Sequence, residues 1–251
     1  MILVFYAFAR ELKALRRRIG ARAPLRIEGL RGFLGELGGL EIIAVATGIG
    51  YQRAQETARR ALEKVPGVTM VISTGVAGGL SEGLSAGDLV IAERIVWSDD
   101  EETSDPARIV ALRPEQVRNA ERALKAAGLK FSTGTVLTSR RVLATAAEKR
   151  HAKRRTGAIA IDMESAALAA EALSRDIPFA CVRAVMDTVE DELFGWGLAD
   201  DQGRVRPLAA AFYLVRNPAV MLRLPRIMRN LAAASRSLAA AIEALSRHSA
   251  Q

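Results

Sequence analysis

Continuous apolar runs alternate with segments of helical periodicity along most of the chain. The runs that predict buried strands cover residues 2–7, 41–46, 68–73, 88–96, 131–137, 158–161 and 178–186. The segments that predict helices cover residues 11–19, 54–65, 114–127, 144–155 and 164–175. This alternation predicts an α/β fold with a mostly parallel or mixed sheet.

The pattern changes after Gly203. From Leu224 to Leu245 apolar residues return at helical spacing on one narrow stripe, with arginines on the opposite side. Residues 204–251 carry eight arginines against one acidic residue, and the whole chain has a net charge of +8. A helix docked on the core and a helix lying on anionic lipid both explain this segment. Nucleic-acid binding is not expected, because aromatic residues for stacking are scarce.

Composition narrows the class of protein. Half of the residues are hydrophobic and a quarter are charged, which excludes a disordered chain. Cys181 is the single cysteine and there are two histidines, so neither a disulfide framework nor a Cys/His metal site is expected. The longest apolar stretch, residues 1–9, is too short to span a bilayer and lacks the features of a signal peptide. We therefore expect a cytoplasmic enzyme or binding domain.

Two glycine-rich segments follow predicted strands, at residues 47–50 and 74–79. Glycine lets backbone N–H groups approach a ligand oxygen, which suits a phosphate or a ribose hydroxyl. Simple turns explain the same glycines. Neither segment has the spacing of a dinucleotide-binding or P-loop motif, so neither ATP hydrolysis nor dinucleotide binding is expected.

Carboxyl groups also lie at predicted strand ends, where open α/β sheets place their ligands. Asp162 and Glu164 stand where a strand becomes a helix, and helix capping explains them equally well. Asp187 closes a strongly apolar strand that also contains Arg183, so capping explains it poorly. Glu11 stands between the first strand and the first helix, with the same alternatives as Asp162.

Four motifs in order resemble the purine nucleoside phosphorylase and nucleosidase superfamily, which includes the 5′-methylthioadenosine/S-adenosylhomocysteine nucleosidases. They are TGVAGGL at 74–80, GDLVIAE at 87–93, IDMESAALA at 161–169 and PFACVRAVMDT at 178–188. The resemblance covers about residues 1–190. It implies a three-layer α/β/α sandwich with a central mixed sheet, cleavage of a nucleoside N-glycosidic bond and a homo-oligomer. We accordingly divide the chain into a catalytic domain, 1–203, and a basic amphipathic C-terminal helical extension, 204–251.

The resemblance also implies roles for individual residues. Asp187 would give or share a proton at the purine N7, and Glu164 would hold the ribose hydroxyls and stabilise the positive charge that develops on the sugar. Glu11 would position the attacking water, and Arg183 would bind near the nucleophile. The implied substrate contacts are Gly48, Thr74, Gly75, Val76, Gly78, Val142, Asp162, Met163 and Glu164.

Residues 138–143 depart from the pattern, because an aromatic residue of the nucleosidases is replaced and two arginines are present. Arg140 is a candidate phosphate ligand, although an exposed loop arginine explains it equally well. Residues 139–150, 185–193 and 203–226 resemble the hopanoid-associated phosphorylases. We therefore expect phosphorolysis of adenosylhopane, with phosphate as co-substrate, no cofactor or metal, and contact of 204–251 with an anionic membrane. The alternative is hydrolysis of 5′-methylthioadenosine or S-adenosylhomocysteine by a soluble nucleosidase.

Overall fold

The computed structural model describes residues 1–19, 23–98, 108–192 and 218–249. The strands are β1 (Ile2–Tyr6), β2 (Ala23–Pro24), β3 (Arg31–Leu37), β4 (Leu40–Ala46), β5 (Met70–Gly79), β6 (Leu89–Ser98), β7 (Arg108–Ala111), β8 (Phe131–Ser139), β9 (Ala160–Asp162) and β10 (Phe179–Asp187). The helices are α1 (Lys13–Arg18), α2 (Tyr51–Lys64), α3 (Pro114–Ala126), α4 (Ala146–Thr156), α5 (Ser165–Leu173) and α6 (Pro218–Ser249). The predicted boundary at 203/204 lies outside the described residues.

The strands form one mixed sheet in the order β10-β6-β8-β9-β5-β1-β4-β3-β2, with β7 paired to β6. β1 pairs in parallel with β4 and β5, and β5 pairs in parallel with β10. β10 runs antiparallel to β6, and β9 runs antiparallel to β5. Because β5 pairs with β1, β10 and β9, it is the strand at which the two halves of the sheet meet. The mixed sheet predicted from the apolar runs is confirmed.

Helices cover both faces of the sheet, which confirms the three-layer α/β/α arrangement. β1 shows why, because its successive side chains point to opposite faces. Leu3 and Phe5 join one buried cluster with α2 and α5, and Ile2 and Val4 join another with α1, α3 and α6. All five residues of β1 are buried, as the continuous apolar run predicts for a strand covered on both sides.

The described part of the C-terminal extension belongs to the core. Leu238 and Ile242 of α6 are fully buried in the same cluster as β1, and α6 packs against α1, α3 and β10. Its first turns differ, because Leu224, Ile227 and Met228 are exposed. The docked helix therefore accounts for the apolar stripe from Leu231 onwards but not for its beginning. Among the described residues, no helix combines the length and the apolar character needed to cross a membrane.

Of the two interpretations of residues 74–79, the simple turn is wrong. These residues continue β5 to Gly79, and they pair with β10 along most of their length and with β9 at the end. Glycine is needed at Gly75 because of what lies beside it. A Cβ atom there would lie 2.7 Å from Nη1 of Arg183 and 2.8 Å from Oε1 of Glu11. The glycine thus lets a strand pass close to two buried charged side chains.

Candidate active site

A cavity lies where six strands end: β1, β4, β5, β8, β9 and β10. In α/β proteins, ligand pockets typically lie in this position, outside the carboxyl ends of the strands. The lining residues are Ala7, Phe8, Glu11, Ile49, Val76, Ala77, Gly78, Arg141, Val142, Leu143, Lys149, Ile161, Asp162, Met163, Glu164, Met186 and Asp187. Most of this wall is apolar, and four carboxyl groups interrupt it.

Glu11 is held in the cavity wall by backbone amides. It stands in the loop between β1 and α1, and its side chain is almost completely buried. Oε2 accepts hydrogen bonds from the N–H groups of Ala7 at 2.7 Å and Phe8 at 3.0 Å, and Oε1 accepts one from Val76 at 2.9 Å. Burial raises the pKa of Glu11, and these hydrogen bonds oppose the shift. The result is a fixed carboxyl group whose basicity is higher than that of a glutamate in water.

Glu164 is the second carboxyl group of raised pKa. It precedes the first residue of α5, and its Oε1 accepts a hydrogen bond of 2.7 Å from the N–H of Gly50. Burial, reinforced by the neighbouring charge of Asp162, raises the pKa of Glu164 to about 8. This carboxyl therefore holds a proton near neutral pH, and a positive charge on a ligand favours its ionised form.

Asp162 caps α5 as its capping interpretation predicts, and it also binds Arg183. Its Oδ1 accepts hydrogen bonds from the Ser165 N–H at 3.3 Å and the Thr138 hydroxyl at 2.8 Å. Its Oδ2 accepts one from Nε of Arg183 at 2.6 Å. Arg183 is 2% exposed and donates further hydrogen bonds to the hydroxyls of Ser165 and Ser73, at 2.7 and 2.8 Å. The guanidinium thus lies behind the cavity wall, where it fixes Asp162, and not among the residues that contact the cavity.

Asp187 lines the cavity at the end of β10, and it is paired with a lysine that the sequence patterns did not single out. Lys149 of α4 is fully buried, and its Nζ lies 2.5 Å from Oδ2 of Asp187. Burial raises the pKa of Asp187, while the ammonium opposes the shift. The sequence hid Lys149 because its helix carries many basic residues on its outer side. The available signal is Ala152, three residues further on, which is buried on the same side of α4.

The structure brings eight of the predicted residues together in the cavity wall: Glu11, Val76, Gly78, Val142, Asp162, Met163, Glu164 and Asp187. Four other predicted residues do not line the cavity: Gly48, Thr74, Gly75 and Arg183. Gly48 donates its N–H to the Ala7 carbonyl at 3.1 Å, and Thr74 is buried within β5. Arg140 is exposed, and it is Arg141 that lines the cavity. This placement favours the exposed-loop interpretation of Arg140, and a role in phosphate binding stays a prediction.

This arrangement suits cleavage of a glycosidic bond. Such cleavage needs an acid beside the departing group and negative charge beside a sugar that becomes positive. Asp187 lies at one side of the cavity, and Glu11 and Glu164 line it with raised pKa values of their own. The fold and the site thus define an enzyme of the nucleosidase and phosphorylase class.

Comparison with known proteins gives the family. The model of the Phosphorylase superfamily matches residues 1–212, so the chain belongs to that superfamily. A 5′-methylthioadenosine/S-adenosylhomocysteine nucleosidase of Haemophilus ducreyi is 29% identical over 197 residues, which cover 73% of this chain and 83% of the relative.

Solved structures share the fold. The 5′-methylthioadenosine/S-adenosylhomocysteine nucleosidase of Neisseria meningitidis, in complex with methylthio-immucillin-A, superposes with a TM-score of 0.73 at 19% identity and covers 98% of both chains. Futalosine hydrolase of Helicobacter pylori gives 0.73 at 16% identity and covers 98% of this chain and 96% of its own. At these identities the likeness establishes the α/β architecture.

Proposed function

We propose that this protein hydrolyses the N-glycosidic bond of an adenine nucleoside of the 5′-methylthioadenosine or S-adenosylhomocysteine type and releases adenine. The observation that carries the proposal is the set of three buried carboxyl groups of raised pKa, Glu11, Glu164 and Asp187, around one cavity. The nucleosidase from H. ducreyi, 29% identical, supports the substrate class.

The three groups divide the chemistry between them. The carboxyl of Asp187 gives its proton to N7 of the purine as the C1′–N9 bond breaks and its electron pair passes to the base. Glu164, in its ionised form, faces the sugar and stabilises the positive charge that develops there. Glu11 holds a water molecule and takes its proton as the oxygen bonds to C1′. The products are free adenine and the free sugar, and solvent returns the proton from Glu11 to Asp187.

The charges around the cavity support water over phosphate as the nucleophile. Of the described lining residues, Arg141 and Lys149 are cationic, and each is paired with a carboxylate, Glu148 at 2.6 Å and Asp187 at 2.5 Å. Because both of these cations are already paired, phosphate would find no lining cation left to bind it among the described residues. A neutral water molecule needs no such cation.

The relatives named above are nucleosidases and a hydrolase, so they favour the hydrolytic alternative over the phosphorolysis of adenosylhopane that we expected first. The proposal accordingly places hydrolysis first. Phosphorolysis of a lipid-linked nucleoside becomes the competing outcome of the test, with phosphate as co-substrate.

Two further expectations are proposed with it. Peripheral contact with an anionic membrane is supported by exposed Leu224, Ile227 and Met228, which stand among exposed Arg226 and Arg229 at the start of α6. Assembly into a homo-oligomer follows from the family resemblance, and light scattering coupled to gel filtration tests it.

The experiment measures free adenine from 5′-methylthioadenosine, S-adenosylhomocysteine and adenosylhopane, each with and without phosphate, and identifies the sugar product by mass spectrometry. We expect phosphate-independent release from one of the first two substrates and a free sugar. Asp187→Asn should remove most turnover, whereas Asp176→Asn, at a side chain that is 85% exposed, should not. Release from adenosylhopane alone, with a sugar 1-phosphate as product, would overturn the proposal in favour of phosphorolysis.

A further inference from the structure

Lys149 has no hydrogen-bond donor left for a ligand. Its side chain is fully buried, and a lysine ammonium has three N–H groups. Nζ donates to Oδ2 of Asp187 at 2.5 Å, to the carbonyl of Thr188 at 2.8 Å and to the carbonyl of Asp191 at 2.8 Å. All three donors therefore end on the last residue of β10 and the turn that follows it. The hydrogen bonds of the ammonium therefore reach the reacting groups through Asp187.

We infer that Lys149 is a positioning residue for the reaction proposed above, which fixes the carboxyl group of Asp187 and stabilises the carboxylate left when its proton has passed to the departing base. The inference rests on the proposed function for its chemical step. Its geometric part, the coupling of the two side chains, stands on the contacts alone.

The first turn of α4 is built to hold Lys149 in this place. The Thr145 hydroxyl accepts a hydrogen bond from the Glu148 N–H, and the Glu148 carboxylate accepts one from the Thr145 N–H, which fixes the start of the helix. The same Glu148 carboxylate binds Arg141 of the cavity wall at 2.6 Å. Glu148 and Lys149 thus connect one helix end to two parts of the cavity, the 141–143 segment and Asp187.

The charges around Asp187 determine what removal of the ammonium would do. The positive charge of Lys149 lowers the pKa of Asp187, and the negative charge of Asp191 raises it. Asp191 is itself paired with Arg226 of α6 at 2.8 Å, and Arg150 is paired with Glu190 on the exposed side of the turn. Without Lys149, burial and the charge of Asp191 both favour the protonated form of Asp187. The carboxyl would then keep its proton to higher pH and become a weaker acid toward the base.

The test is a double-mutant cycle on kcat. Lys149→Met should lower kcat for methylthioadenosine about 100-fold, the lower end of what a general acid contributes, and should move the alkaline limb of the pH profile to higher pH. In an Asp187→Asn background the same substitution should cost less than about threefold, because its partner is already gone. Arg154→Met, an exposed charge on the same helix, is the matched control and should leave kcat unchanged. Equal losses in both backgrounds would overturn the inference, because a purely structural role costs activity in each.

A second measurement does not depend on turnover. The carboxyl carbon of Asp187, labelled with ¹³C and assigned through Asp187→Asn, is titrated by NMR in the wild type and in Lys149→Met, or in Lys149→Gln if the methionine variant does not fold. An upward shift of the midpoint in the variant supports the inference, and an unchanged midpoint overturns it. If the wild type releases no adenine from any nucleoside, the proposed function fails, while this titration still decides whether Lys149 controls Asp187.

Discussion

Replacement of Glu164 by glutamine separates the cost of burying its carboxyl group from its role beside the sugar. Glutamine has nearly the same shape, and its carbonyl oxygen can accept the hydrogen bond that Glu164 Oε1 receives from the Gly50 N–H at 2.7 Å. The substitution removes the ability to carry a negative charge, and it puts an NH₂ group in the place of Oε2, which accepts a hydrogen bond of 3.4 Å from the Met163 N–H.

The magnitude follows from the pKa of Glu164, which burial raises from an ordinary value of 4.5 to about 8. Between these values the unfolded chain has lost the proton while the folded chain keeps it, so the free energy of unfolding falls as pH rises. The slope for one group is about 1.4 kcal/mol per pH unit. Glu164→Gln removes this loss, and its stability gain over the wild type should grow to about 4 kcal/mol near pH 8.

Urea unfolding of both proteins, followed by circular dichroism at several pH values between about 5 and 8, measures the difference. The raised pKa of Asp187 is common to both proteins, whereas the charge of Glu11 acts on Glu164 and is part of the difference. The variant should also lose most activity, because a neutral amide cannot stabilise a positive sugar. A stability difference that stays constant across this pH range would refute the assignment of a buried, protonated Glu164.

Three other expectations test the remaining parts of the structure. Gly75→Ala should lower kcat about 100-fold with little change in KM, because the added Cβ atom would lie 2.8 Å from Oε1 of Glu11 and displace that carboxyl group. A variant with the kinetics of the wild type would contradict this expectation. Leu238→Ala, at a fully buried side chain of α6, should lower the free energy of unfolding by about 2–5 kcal/mol, measured in urea, whereas a detachable extension would leave it unchanged. Leu224→Ser combined with Ile227→Ser should reduce sedimentation with anionic vesicles without changing the melting temperature, and unaltered binding would argue against membrane contact through this end of α6.

The sequence predicts those parts of the fold that depend on local pattern. All residues of β1 and β10 are buried. Their sequences predict this, because every residue except Arg183 and Asp187 is apolar. The apolar stripe of α6 from Leu231 onwards likewise predicts its docking. Pattern alone could not place the beginning of the helix, because Leu224 and Ile227 continue the stripe but stay exposed.

The sequence could not predict features that depend on distant residues. Glycines at 74–79 are typical of a turn, and the strand needs them because distant residues pass close by: Arg183 and Glu11 at Gly75, and Asp187 at Gly78 and Gly79. Arg183 ends in a support layer, because Asp162 and two hydroxyl groups from other elements satisfy it. Lys149 was missed for the same reason, since its partner Asp187 is 38 residues away. Motif resemblance, by contrast, located Glu11, Glu164 and Asp187 in the cavity wall.

The most direct test of the account is the release of adenine from 5′-methylthioadenosine in phosphate-free buffer, by the wild type and by Asp187→Asn. We predict turnover by the wild type, no acceleration when phosphate is added, and loss of most of the rate in the variant. A wild type that is inactive without phosphate, or a variant that retains full activity, would contradict hydrolysis with Asp187 as the proton donor.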